Sequence, residues 1–279
     1  MSYKSITTFI VDESHITTTL AYAIEAARQS DAHLDVLCLG VDRTQTGYYY
    51  GGISSVVTQE SLESTQKNAA ALEEQAQEML ARSGIPFCLK SAAIQLTSIS
   101  AYVSIHARFA DLVILPQPYG KSSAQELEAL TESVMFDAHT PILVVPSDYG
   151  LDVKTERVVV AWNQSTEALT AIRAALPLLK QANAVSVTII DPPQHSPDRS
   201  DPGGALSQML SRHGVKVEIS VLAKTLPRAS DVLRRHIKDI DADLVVMGGY
   251  GHSRFREAIL GGATRYMLEN ATCRILMAH

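Results

Sequence analysis

The sequence predicts an α/β protein built as two tandem open, mostly parallel five-stranded sheets with helices on both faces. Three observations lead there. Short apolar runs, such as residues 111–115 (DLVIL) and 244–247 (LVVM), alternate with longer segments of helical spacing, as buried parallel strands and crossover helices do. The same order begins again after the linker-like residues 147–150 (SDYG). The halves also hold near-copies of one strand, DLVIL from Asp111 and DLVVM from Asp243. Domains over residues 1–147 and 154–279 are therefore expected.

In the first half, residues 4–11 read as a strand that ends in Asp12-Glu13-Ser14, followed by a helix over 17–30 with Leu20, Ile24 and Ala27 on one side. A second strand covers 34–41. Residues 45–58, with Tyr48, Tyr49, Tyr50, Gly51 and Gly52, lack periodicity and read as a long loop. The longest helix follows over 59–82, closed by Ser83-Gly84. A strand over 87–94, a helix over 98–107, a strand over 111–115, a helix over 124–137 and a strand over 142–145 complete the half. The second half repeats the order: a strand over 157–162 ending at Asn163-Gln164-Ser165, a helix over 167–180 and a strand over 185–190. A proline-rich loop over 191–204 leads to a short helix over 205–213. A strand over 215–222, a helix over 228–240 and strands over 244–247 and 274–277 follow. The halves are offset by more at Asp12 and Asn163 than at Asp111 and Asp243, so the first half holds extra residues, where the tyrosine loop and long helix lie.

Composition narrows the function. The chain has 279 residues, 46% apolar and 19% charged, enough for a sizeable core. A net charge of −6 and the lack of a Lys/Arg run argue against nucleic acid as a partner. No signal-like segment and no run of about 18 apolar residues is present, so a cytoplasmic protein without membrane association is expected. Cys38, Cys88 and Cys273 stand far apart in apolar segments and read as buried free thiols.

The chemistry concentrates in residues 244–264 (LVVMGGYGHSRFREAILGGAT), an apolar strand followed by Gly248, Gly249 and Gly251 and, after a segment of helical character, by Gly261 and Gly262. Backbone N–H groups in such a strand–turn–helix can hold a phosphate without a lysine. Ser253 and Thr264 add hydroxyls. Arg254, Arg256 and Arg265 lie nearby, no more than one of them for a phosphate. His252 is a phosphate neighbour or a plain loop histidine. Glycines that merely make tight turns are the competing reading. No Walker loop, full dinucleotide fingerprint, nucleophile elbow or zinc motif occurs, and no catalytic residue is assigned.

These residues resemble the universal stress protein family, whose nucleotide-binding members carry Gly, two residues, Gly, nine residues, Gly and then Ser or Thr. Gly248, Gly251 and Gly261 match that spacing, with Gly262 at the hydroxyl position and Thr264 two residues later. Asp12 with Ser14, and Asn163 with Ser165, match the acidic residue and serine that end the family's first strand, the second with an amide for the acid. The resemblance implies a tandem member with the Rossmann-like, adenine-nucleotide alpha hydrolase-like fold. It also implies an adenine nucleotide, ATP with or without Mg and no tightly bound metal, held by Ala161, Trp162, Asn163, Ser165, Gly248, Gly249, Gly251, His252, Ser253, Gly261, Gly262, Ala263 and Thr264. Trp162 is expected to pack more than to stack. In the first half Pro116, Pro118 and Tyr119 replace the glycine turn, and proline offers no N–H. One competent and one degenerate site follow.

The leading expectation is a stress-associated sensor or switch that binds ATP in its second domain and hydrolyses it slowly or not at all. The alternative is a nucleotide-independent scaffold that works through a partner-binding loop. Domain pairing through the last strands is implied by the resemblance, and a homodimer is the other pairing open to such a protein.

Overall fold

The computed structural model describes residues 2–43, 55–120, 125–192, 201–249 and 262–279. The first half contains β1 (Ser5–Ile10), α1 (Ala21–Ser30), β2 (His33–Asp42), α2 (Ser55–Ala81), β3 (Phe87–Gln95), α3 (Ile99–Ala107), β4 (Leu112–Pro116), α4 (Gln125–Glu132) and β5 (Ile142–Val145). The second contains β6 (Arg157–Ala161), α5 (Thr166–Leu179), β7 (Ala184–Ile190), α6 (Gly204–Arg212), β8 (Val217–Leu222), α7 (Ala229–Asp239), β9 (Leu244–Gly248), α8 (Ala263–Glu269) and β10 (Arg274–Ala278). None of the described helices is long and apolar enough to cross a membrane.

The ten strands among the described residues form one sheet in the order β3-β2-β1-β4-β5-β10-β9-β6-β7-β8. Each block of five has the same parallel order. The blocks meet where β5 and β10 pair antiparallel, with Leu276 opposite Leu143. The two sheets expected from the sequence are thus continuous, each block covering the other's last strand.

Alternation along the strands splits the core into two layers, as the pleat requires. Val158, Val160, Leu244 and Val246 face the layer covered by α1, α2, α5 and α6. Val159, Val245 and Met247 face the layer covered by α3, α4, α7 and α8. Helix α5 shows why its sequence is helical: Ala168, Ala171, Ile172, Ala175 and Leu179 recur at a spacing of three to four and are buried.

Two expectations need correcting. The loop assigned to 45–58 gives way to helix at Ser55, because α2 extends a turn beyond its apolar stripe; Tyr48, Tyr49 and Tyr50 lie outside the described residues. Cys88 is half-buried, since β3 is an edge strand, whereas Cys38 and Cys273 are buried and burial pushes both thiols up to about 12.

Candidate functional site

In the second block the chain runs outward from β6 to β7 and β8, then returns through β9 to β10. Helices α5 and α6 lie on one face and α7 and α8 on the other, so a crevice opens between the carboxyl ends of β6 and β9. That is where open α/β sheets take their ligands. At the end of β6 the chain turns at Asn163, whose Oδ1 accepts a hydrogen bond from the Ser165 N–H at 3.2 Å. Ser165 then caps α5, its Oγ accepting from the Ala168 N–H at 3.1 Å. Ser165 is therefore committed to the helix start, while the Asn163 Nδ2 donates to no described residue and stays available to a ligand.

The two described glycines of the turn are explained by packing. A Cβ on Gly248 would lie 2.5 Å from the Ala168 nitrogen, so a side chain there would collide with the start of α5. A Cβ on Gly249 would meet the Met135 Cε of the first half at 2.2 Å. Neither glycine has a positive φ. The Gly249 N–H donates to the Ala278 carbonyl at 2.9 Å, so this group extends the β9–β10 pairing and is not offered to an anion. Gly251, His252, Ser253 and Gly261 lie outside the described residues, as do Arg254 and Arg256. Gly262 precedes α8, Ala263 opens it, and Thr264 is buried in its first turn.

A cavity of about 170 Å³ occupies the crevice. Ala161, Trp162, Asn163, Gly248 and Ala263 line it, all of them expected from the sequence. The rest of its wall was not: Thr188 and Ile190 from the end of β7, Ala229, Ser230 and Leu233 from α7, Met247 and Met267. Their signal was positional. The end of a second strand and the start of the helix before the glycine turn must reach the same sheet edge. Trp162 both packs against the core and lines the cavity.

The corresponding edge of the first block carries the same turn, with the Ser14 N–H and Oγ donating to the Asp12 Oδ1 at 2.9 and 2.6 Å. These two hydrogen bonds hold the Asp12 carboxyl below its ordinary value, the hydroxyl contributing most. Beside it lies a larger cavity of about 760 Å³, bounded by Asp12, Glu13, Asp42 and Glu126 against Arg43. Glu126 is buried and paired with Arg43. Among the described lining residues, four carboxylates stand against one guanidinium, a balance unfavourable for a polyphosphate. The residues that replace the glycine turn have become contacts between the halves. Gln117 donates to the Leu268 and Glu269 carbonyls at the end of α8, and the Arg265 guanidinium sits 4.6 Å from the centre of the Tyr119 ring. Arg265 also pairs with Glu128, so it is directed at the first half and is withdrawn from the phosphate candidates.

The fold and cavity define a doubly wound α/β protein with a small opening at its switch point. Residues 154–279 match the model of the universal stress protein family, and the chain carries a domain of that family. A universal stress protein of Synechocystis sp. is 26% identical over 177 residues, 60% of this chain and 57% of that protein. The chain thus spans less than two thirds of this relative's length. Among solved structures, a universal stress protein from Archaeoglobus fulgidus superposes with a TM-score of 0.71 at 14% identity, covering 100% of this chain and 96% of that one. A protein from Pseudomonas aeruginosa described as a universal stress protein gives 0.58 at 16% identity, covering 99% and 93%. At these identities the structural likenesses show the fold, and they show it for the whole length of the chain.

Proposed function

We propose that the chain binds ATP or a related adenine nucleotide in its second half and acts as a sensor or switch with little or no hydrolysis. The observation that carries this reading is the cavity between β6 and β9, with the Asn163 side chain at one side and the start of α8 at the other. The base enters the apolar slot, the ribose meets Asn163, and the phosphates extend toward Gly251, His252, Ser253 and Gly261, with Gly262 and Thr264 beside them. An amide bonds a ribose hydroxyl but gives a metal no charge, so magnesium travels with the phosphates. Residues 1–147 form a second domain that has given up phosphate binding.

Isothermal titration of the full chain with ATP tests this. Saturable binding that Gly251→Pro abolishes is the expected result. No binding by the wild type overturns the reading, and undiminished binding by Gly251→Pro overturns the role of the loop.

A further inference from the structure

A further cavity, of about 580 Å³, lies where the halves meet. Its wall comes from the segments that follow β1, β4 and β5 and from the residues just before β10. In the first block β1 and β4 are neighbours, and the chain runs from β1 to β2 on one side and from β4 to β5 on the other. The cavity therefore opens at the switch point of that block, where open α/β sheets take their ligands. Its volume lies within the roughly 300–1,000 Å³ of sites that enclose a whole small molecule.

His15 lines this cavity, and its Nδ1 is buried without a hydrogen-bond partner. Burial holds the imidazole below its ordinary value, against the attraction of Asp12, so the ring is neutral at pH 7 and one nitrogen is an acceptor. A buried polar atom left unpaired is costly, which marks this nitrogen as one that a ligand completes. The χ2 torsion of a histidine is broad and roughly two-fold, so a half-turn of the ring carries Nδ1 out of its enclosed position.

The rest of the wall says what kind of ligand this is. Asp148 and Glu269 border the cavity with neither carboxylate in an ion pair or hydrogen bond among the described residues, and no described lysine or arginine joins them on the wall. A cation is favoured and a phosphate is not. The described residues contain no group of three His, Cys, Asp or Glu side chains that could hold a metal ion, and the space is far larger than an ion needs. Pro116, Leu127 and Pro146 add apolar surface suited to methylene groups. We propose that this cavity binds an aliphatic polyamine, whose ammonium groups pair with Asp148 and Glu269 and donate to the His15 Nδ1. The site is separate from the cavity between β6 and β9 and does not depend on the nucleotide reading.

Isothermal titration of the full chain with spermidine at fixed ionic strength tests this. The wild type should bind spermidine saturably. His15→Phe, which keeps a ring without its nitrogens, should weaken binding about tenfold, the worth of one hydrogen bond to a charged group, and Asp148→Asn with Glu269→Gln by more. Glu74→Gln with Glu78→Gln, which removes the same charge from an exposed stretch of α2, should leave the affinity unchanged. No saturable binding by the wild type overturns the proposal. An equal loss in the Glu74 and Glu78 variant overturns it too, by showing attraction to the net charge alone. Asp148 and Glu269 are exposed, so their variant tests the site even where His15→Phe disturbs folding. Undiminished binding by a folded His15→Phe overturns the role of the histidine.

Discussion

Gln117 and Leu268 belong to opposite halves of the chain, yet the Gln117 Nε2 donates to the Leu268 carbonyl at 2.7 Å and to the neighbouring Glu269 carbonyl at 2.9 Å. The last carbonyls of a helix have no partner within it. In α8 the segment that replaced the first half's glycine turn donates to two of them, of which the Leu268 carbonyl also accepts from the Ala271 N–H at 3.4 Å. Gln117→Ala should therefore destabilise the chain by about 1–2 kcal/mol. Urea unfolding followed by circular dichroism would measure this, and an unchanged midpoint would show that water replaces the amide without loss.

Tyr119 and Arg265 make the second contact of this segment. A guanidinium over a ring is worth about 0.5–1 kcal/mol at a partly exposed site. A double-mutant cycle with Tyr119→Leu and Arg265→Met should return a coupling of that size, and a cycle that sums to zero would reduce the pair to mere proximity.

The element order was legible in the sequence because parallel strands buried on both faces read as unbroken apolar runs, and Val158–Val160 and Leu244–Met247 are such runs. What depends on tertiary approach was not. Gly248 looks like a ligand-binding glycine by spacing, but the start of α5 passes so close that no Cβ fits, whatever is bound. Gly249 has its N–H in the sheet.

The contrast between the two glycines is measurable. Gly248→Ala places a methyl against backbone that cannot yield, and overpacking of this kind costs about 1–3 kcal/mol. Gly249→Ala meets the end of a flexible methionine, which can turn away, so its cost should be smaller. The order of the two urea midpoints decides the point: Gly249→Ala at or below Gly248→Ala would contradict it.

Arg274 shows how the C-terminal strand is anchored. No part of it is exposed, and its guanidinium reaches the Asp243 Oδ1 at 2.8 Å, the Tyr22 hydroxyl at 2.8 Å and the Val153 and Lys154 carbonyls at 3.0 and 2.6 Å. One side chain thus joins β10, α1 and the segment between the halves. Arg274→Ala leaves these acceptors without their donor and should cost about 3–5 kcal/mol. Arg274→Lys should recover only part of this, because an ammonium has three donors and no planar fork. Full recovery by lysine in a denaturation series would reduce the interaction to charge alone.

Asp12 and Asn163 stand at equivalent turns, one an acid and the other its amide, so Asp12→Asn should keep the first turn while removing its titration. The Asp12 carboxyl is held below its ordinary value by the Ser14 hydroxyl and N–H. A carboxyl lowered on folding gives stability that is present above its unfolded value, about 3.9, and is lost as pH falls through the folded one. Wild type should therefore lose stability relative to Asp12→Asn as the pH drops from 5 toward 2. Urea midpoints of both proteins across that range measure the effect, and parallel pH profiles would show that the turn holds Asp12 no better than the unfolded chain does.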